Sequence, residues 1–278
     1  MIKPGEIQKI ARGVGVRDQQ IEKDYILSWI LQGIAQREIL SKAIVFKGGT
    51  VLKKVYFEDY RFSEDLDFTL LENNISNEQI FEWFTKVFEY IKDEANIPLE
   101  ITDDNQHADG GINFYISYTG PLGGKGANKK VKVDISRSER LVFEPVMHDV
   151  FRGYTDQVDH QLLCYPLEEI LVEKMRSVLQ RMQARDFYDI WYLLEVHNMD
   201  ITCYINEFKT KCGNKQLDST QFPNKLNQRL PQYKGMWQAS LVNQIQDLPD
   251  FDRVEREIRR HVKRLEFFIE SGQSTSVS

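Results

Sequence analysis

Residues 62–70 constrain the fold most, because apolar and polar side chains alternate along them. A period of two is typical of a β-strand with one buried face. Leu66 and Phe68 then point to the apolar face, while Asp65 and Asp67 share the opposite one. The chain must therefore pack a core on one side of this strand and hold two neighbouring carboxylates on the other.

The paired carboxylates indicate a divalent metal ion, since two negative charges repel unless a cation or proton lies between them. Magnesium suits such a pair, because it prefers oxygen ligands and keeps open positions for phosphates. Asp134 lies on the polar face of a second predicted strand, at 131–135, which can lie beside the first. Three such carboxylates can bind two metal ions about 4 Å apart. Solvated surface acids are the alternative.

A glycine pair precedes this strand in the motif Gly48-Gly49-Thr50, between a predicted strand at 43–46 and helical turns at 51–57. Glycine lets a phosphate approach the backbone closely, and N–H groups at the start of a helix attract anions. The motif predicts a phosphate-binding turn, with a plain strand-to-helix turn as the alternative. Its spacing is not that of a Walker motif.

The organisation of the chain favours an α+β fold. Residues 1–160 mix helices and strands, residues 161–270 are helical, and residues 271–278 form a tail predicted to be disordered. The predicted helices are residues 1–40, 76–95, 166–196 with a break near Ala184, and 251–270, the predicted strands include 112–118, and the predicted loops are 119–128 and 210–235.

Two groups of basic residues could meet phosphate. Lys174, Arg181 and Arg185 fall on one stripe of the helix after Pro166 and could neutralise a triphosphate. A solvated face, with Asp189 paired to Arg185, is the alternative. The last helix carries a second stripe that could bind RNA or form internal ion pairs: Arg253, Arg256, Arg260 and Lys263 or Arg264.

The net charge of the protein is negative, so its overall charge cannot attract nucleic acid. Lysine and arginine number 36 against 42 acidic residues, a net charge of −6, so RNA contacts must come from local patches. The three cysteines lack CxxC spacing, which argues against a disulfide framework or a zinc site and favours a cytoplasmic location. No apolar run approaches the roughly 20 residues of a membrane helix, so no membrane segment is expected.

The motifs occur in an order typical of one family. They are Glu22-Lys23-Asp24-Tyr25, Lys47-Gly48-Gly49-Thr50, Arg61-Phe62-Ser63-Glu64-Asp65-Leu66-Asp67-Phe68, Lys132-Val133-Asp134-Ile135-Ser136, Glu173-Lys174, Arg181 and Arg185-Asp186-Phe187-Tyr188-Asp189-Ile190. Together they resemble the AbiEii-type nucleotidyltransferase toxins of abortive-infection toxin–antitoxin systems, to which the MenT toxins are related. The resemblance implies a polymerase-β-like nucleotidyltransferase core with a mixed sheet, plus a helical C-terminal part.

The resemblance also implies an activity. Such a toxin transfers a nucleoside monophosphate from a nucleoside triphosphate to an acceptor, for some relatives the 3′ end of tRNA, and its antitoxin is encoded nearby. The implied role in the cell is phage defence. A metal-dependent nuclease or another phosphate enzyme remains an alternative, as does a non-catalytic module that binds a nucleotide or a partner on the same fold.

Site residues follow from the same resemblance. Asp65, Asp67 and Asp134 would hold two Mg²⁺ ions, and Lys174 would stabilise the leaving pyrophosphate. Asp186 would assist the acceptor or orient Lys174, with Asp189 equally placed on sequence alone. The residues implied to bind the nucleotide are Gly48, Gly49, Thr50, Ser63 and Arg181, and the glycine-rich loop at 119–128 is predicted to be mobile and to order over a substrate.

Overall fold

The computed structural model describes residues 1–106, 110–124, 126 and 129–274, with side chains as far as residue 265. The chain forms two compact units. Unit 1 comprises Met1–Glu139, Pro145–Tyr165 and Asn243–Gln246, and unit 2 comprises Arg140–Glu144, Pro166–Val242 and Asp247–Ser278. The strand at 161–164 belongs to unit 1, so the mixed α/β part extends beyond residue 160.

A single seven-stranded mixed sheet forms the centre of unit 1. Its strands are β1 (Ile44–Lys47), β2 (Asp65–Leu70), β3 (Leu99–Gln106), β4 (Ile112–Tyr118), β5 (Lys130–Ser136), β6 (Val146–Asp149) and β7 (Gln161–Cys164). They lie in the order β3-β4-β5-β2-β1-β7-β6. β2 is central, antiparallel to β1 and parallel to β5, which places the acidic strand in the middle of the sheet.

The central strands follow the predicted pattern closely. In β4 and β5 buried and partly exposed residues alternate along the whole strand, as period-two hydropathy requires. In contrast, β3, β6 and β7 were not predicted. The first two are the edges of the sheet, and their largely exposed residues carry no alternation signal.

The helices of unit 1 are amphipathic or fully buried. They are α1 (Pro4–Val14), α2 (Asp18–Ala35), α3 (Glu38–Ala43), α4 (Gly48–Val51), which continues into a π-helical turn at Leu52–Tyr56, and α5 (Asn77–Ala95). The predicted start of α5 is confirmed. The Ser76 hydroxyl accepts a hydrogen bond from the Gln79 N–H, and the Gln79 side chain accepts one from the Ser76 N–H.

Unit 2 is helical. Its helices are α6 (Leu167–Gln180), α7 (Ala184–Trp191) with a π-helical turn at Tyr192–Val196, α8 (Ile205–Gly213), α9 (Phe222–Leu241) and α10 (Phe251–Ser274), and short 3₁₀ turns lie at Ile201–Tyr204 and Ser219–Gln221. The predicted break near Ala184 is confirmed. No helix in the described part of the chain has both the length and the apolar character to cross a membrane.

The prediction of a loop at 210–235 is wrong, because α9 covers most of that stretch. Pro223 lies in the first helical turn, where a missing N–H costs nothing. Pro231 lies inside the helix, but the apolar residues around it are buried at helical spacing. The buried apolar face of α9 includes Leu226, Leu230, Tyr233, Trp237 and Leu241. The packing of this face therefore outweighs the local cost of the proline.

The glycine-rich loop lies partly outside the described residues, because residues 125, 127 and 128 fall there. Among the described residues, Leu122 in the loop and Lys129 just after it are both bound by the buried carboxylate of Glu22 on α2. Its Oε1 accepts a hydrogen bond from the Leu122 N–H at 2.8 Å, and its Oε2 pairs with Lys129. The predicted tail at 271–278 begins inside α10, which runs to Ser274, and residues 275–278 lie outside the described residues.

Candidate active site

Three carboxylates share one face of two neighbouring strands in unit 1. Asp67 on β2 lies directly opposite Asp134 on β5, and Asp65 lies two residues away on the same face. Leu66 and Phe68, on the other face, are fully buried. The arrangement that the sequence predicts for these strands is therefore present.

Two lysines lie among these carboxylates. Lys132, opposite Asp65 on β5, places its Nζ 3.4 Å from Asp134 Oδ2. Lys47, opposite Asp67 on β1, donates from its Nζ to Ser136 Oγ at 3.2 Å. Positive charge interleaved with three carboxylates reduces their mutual repulsion.

Magnesium fits the chemistry of this face. In the part of the chain that the structure describes, no three histidine, cysteine, aspartate or glutamate side chains are grouped closely enough to form a metal site. Asp134 is instead turned toward Lys132. The three carboxylates nevertheless offer the hard oxygen ligands that Mg²⁺ prefers, and their strand positions already share one face.

The turn before β2 approaches the carboxylates closely. Gly48 has a φ of +82°, and a Cβ at this position would lie within 3.0 Å of Asp67 Oδ2. A Cβ at Gly49 would lie within 3.0 Å of the Arg61 guanidinium. Both glycines are therefore required by close approach inside the protein, a reason that the sequence pattern alone does not reveal.

Two hydroxyl-bearing residues near this turn are buried. Thr50 is 1% exposed, and its hydroxyl donates to the backbone carbonyl of Asp65. This bond ties the turn to the first residue of β2. Ser63 is also buried, on the segment that leads into β2. Thr50 thus orients the start of the acidic strand.

We expect Gly48→Ala to lower the rate of nucleotidyl transfer at least about 100-fold, because its methyl group would displace the Asp67 carboxylate. The left-handed backbone adds roughly 1–2 kcal/mol of destabilisation. Single-turnover rates and urea unfolding measure the two effects. Gly13→Ala is the matched control, since a Cβ there meets no atom within 4 Å. Equal rates for both variants would contradict this geometry.

An ion-pair cluster in unit 2, buried except for the exposed Arg181, contains the other predicted site residues. Lys174 Nζ lies 2.7 Å from Asp186 Oδ1 and 2.8 Å from Asp189 Oδ2. Arg181 Nε lies 2.8 Å from Asp186 Oδ2. The predicted basic stripe on one helix is wrong, because α6 ends at Gln180, Arg181 follows it and Arg185 lies on α7. Lys174 is only 7% exposed, so it belongs to a buried ion-pair network rather than to a solvated face.

Charge neighbours control the ionisation of Asp186. Burial acts to raise the pKa of its carboxyl, but the charges of Lys174 and Arg181 outweigh burial and hold that pKa below the usual value. Asp186 is therefore ionised throughout the neutral range. Both aspartates fix the Lys174 ammonium, and Asp186 also holds Arg181.

We expect Asp186→Asn to destabilise the protein by about 3–5 kcal/mol at neutral pH, because it breaks a buried charge network. The pKa of Asp186 is lower in the folded than in the unfolded protein, so its ionised carboxylate stabilises the fold at any pH above the unfolded-state pKa. This contribution to the free energy of unfolding is lost as the pH falls through the folded-state pKa. The difference in free energy of unfolding between wild type and variant should thus be constant from pH 8 to about 5 and shrink below about 4. Urea unfolding across this range tests it, and a difference that grows toward acid would contradict the assignment.

The basic stripe on α10 is largely engaged in ion pairs within unit 2. Arg253 pairs with Glu257, Arg260 with Glu195 and Arg264 with Asp200, at 3.0, 2.9 and 2.6 Å. Internal pairing, the alternative weighed from the sequence, thus accounts for these three residues. Arg256 and Lys263 are exposed, and among the described side chains neither has an ion pair.

A comparison with models of known protein families shows which family the chain belongs to. A family model described as "Nucleotidyl transferase AbiEii toxin, Type IV TA system" matches residues 29–258, a range that includes every predicted site residue. The chain belongs to the AbiEii nucleotidyltransferase toxin family. Membership implies a nucleoside triphosphate substrate and a cognate antitoxin.

Solved structures show the same fold for this AbiEii-family chain. The crystal structure of JHP933 from Helicobacter pylori aligns with a TM-score of 0.57 over 94% of this chain and 97% of that one, at 16% identity. The nucleotidyltransferase toxin MenT4 from Mycobacterium tuberculosis H37Rv aligns with a TM-score of 0.50 over 70% of this chain and 72% of that one, at 19% identity. No curated protein matches the sequence. The predicted α+β nucleotidyltransferase fold is thus confirmed.

Proposed function

We propose that this AbiEii-family protein transfers a nucleoside monophosphate from a nucleoside triphosphate to an RNA acceptor, the 3′ end of tRNA, in a magnesium-dependent reaction. The acceptor class is supported by the resemblance to toxins of this kind. The proposed setting is the cytoplasm, where the modification of tRNA serves phage defence and a cognate antitoxin restrains it. One observation carries the proposal: Asp67 and Asp134 lie opposite one another, with Asp65 on the same face.

In this reaction the residues of unit 1 bind and orient the nucleotide. Asp65, Asp67 and Asp134 would hold Mg²⁺, which when bound supplies positive charge to the triphosphate and lowers the pKa of the acceptor hydroxyl. The acceptor oxygen bonds to the α-phosphorus, its proton passes to water, and the bond to the β-phosphate oxygen breaks. Pyrophosphate leaves with that electron pair.

The phosphate groups require further positive or donor groups. Backbone N–H groups at Gly49 and Thr50, at the start of α4, would meet phosphate oxygens, and Gly48 lets this turn lie close to Asp67. We assign Lys174 to stabilise the leaving pyrophosphate, as cations do in phosphoryl transfer. Asp186 and Asp189 hold its ammonium in one place, and Arg181 adds a second charge.

RNA binding must rely on local charge, since the net charge is −6. Arg256 and Lys263 on α10 are exposed and are therefore better candidates for phosphate contact than their ion-paired neighbours. Contact with phosphate at these two residues would make RNA affinity fall with salt.

Incubation with each α-³²P-labelled nucleoside triphosphate and total RNA tests the proposal. We expect one or more nucleotides to label a tRNA-sized band, with Mg²⁺ and not with EDTA, and γ-³²P label to appear only in pyrophosphate. No label in RNA from any nucleotide would refute RNA as the acceptor, and label transfer in EDTA would refute the metal.

A further inference from the structure

A short segment outside the recognised motifs contacts the residues that lead into β2. Residues Asn243–Gln246 join α9 to α10 in sequence, yet they belong to unit 1. Gln244 in this segment is 6% exposed. Its backbone carbonyl accepts a hydrogen bond from the Phe62 N–H at 3.0 Å, and its Oε1 accepts one from Arg61 Nη1 at 3.2 Å.

The guanidinium that Gln244 holds lies against the backbone of the turn. Arg61 is 3% exposed, and its Nη1 also donates to the Phe62 carbonyl at 3.3 Å. Its Nη2 occupies the space that a Cβ on Gly49 would need. The planar guanidinium is therefore set in one orientation, packed on Gly49.

Gln244 also fixes the chain that enters β2. Phe62 is three residues before Asp65, and its N–H is bound by the Gln244 carbonyl. The Asp65 carbonyl in turn accepts from Thr50. One glutamine thus holds both the guanidinium behind Gly49 and the segment that leads to the first carboxylate.

We infer that Gln244 is a positioning residue for the nucleotide site, acting through Arg61 to hold the Gly48–Thr50 turn in the geometry that the triphosphate needs. This inference rests on the proposed function. Loss of the Oε1 acceptor removes one of the acceptors that hold Arg61 Nη1, and a turn that is held less firmly binds the triphosphate less well.

The test is direct nucleotide binding, which does not depend on the acceptor. We expect Gln244→Met, which keeps the side-chain length and removes the acceptor, to raise the Kd of the bound nucleoside triphosphate about tenfold by calorimetry. Gln244→Glu restores an acceptor and should return the Kd to within about twofold of wild type. Gln246→Ala, in the same segment but exposed, is the matched control.

A merely structural role would lower the melting temperature without raising the Kd. An unchanged Kd for Gln244→Met, or a Kd for Gln244→Glu as high as that of Gln244→Met, would overturn the inference. Should Gln244→Met fail to fold, Arg61→Lys is expected to raise the Kd instead, and an unchanged value there would also overturn it. Failure of the wild type to bind any nucleoside triphosphate would overturn the proposed function itself.

Discussion

Asp67→Asn is expected to lower the rate of nucleotidyl transfer by at least about 1,000-fold, since a metal-bound carboxylate contributes several kcal/mol to transition-state stabilisation. Asp67 lies opposite Asp134 and against Gly48, so no neighbouring carboxylate replaces it in that position. The fold should persist, because the substitution removes one of three negative charges on the same face. Single-turnover transfer of ³²P label measures the rate.

The matched control for this experiment is Asp93→Asn, an exposed aspartate on α5. Its rate should equal that of the wild type, and both variants should show the wild-type far-UV circular dichroism. A properly folded Asp67→Asn protein that retains more than about a tenth of the wild-type rate would refute the assignment of this face as the catalytic site.

Lys54→Met is expected to destabilise unit 1 by about 3–5 kcal/mol, the cost of leaving a buried charge without its partner. Lys54 Nζ lies 2.6 Å from Asp24 Oδ2 and 2.7 Å from Ser28 Oγ, and it is 4% exposed. The Tyr154 hydroxyl also donates to Asp24. Burial, followed by the Asp24 charge, raises the pKa of that hydroxyl, so it stays protonated and donates to Asp24 rather than becoming a second anion beside it.

Urea unfolding at pH 7 measures this effect. Lys42→Met provides the contrast, because its pair with Glu38 on α3 is exposed and should contribute little. The double variant Lys54→Met/Asp24→Asn should recover part of the loss, since it removes the orphaned carboxylate. If Lys54→Met and Lys42→Met have the same stability, the buried pair does not stabilise unit 1.

The central part of the fold could be predicted because its signals are local. Alternation places Leu66 and Phe68 in the core, and the same period places Asp134 on the polar face of β5. β6 and β7 are four-residue strands next to or at a sheet edge, too short for a period to emerge. The helix α9 was missed because Pro231 is a local signal, whereas the packing that overrides it is tertiary.

Part of the candidate site could likewise be predicted from local signals, and part could not. The acidic residues follow from spacing on predicted strands, but the groups that surround them depend on distant partners. Arg61 and Gln244 are separated by 183 positions in sequence, and no period or motif links them. The alternation of β5 does predict that Lys132 lies near the carboxylates, since it shares the polar face of the strand with Asp134.

The mass of the RNA product tests the central claim most directly. Purified tRNA is incubated with the protein, Mg²⁺ and unlabelled nucleoside triphosphates, and its intact mass is determined by mass spectrometry. A nucleotidyltransferase predicts a gain of one or more nucleoside monophosphates, absent with Asp67→Asn. An RNA that becomes shorter, while the triphosphates remain intact, would contradict the claim and identify a nuclease on the same carboxylates.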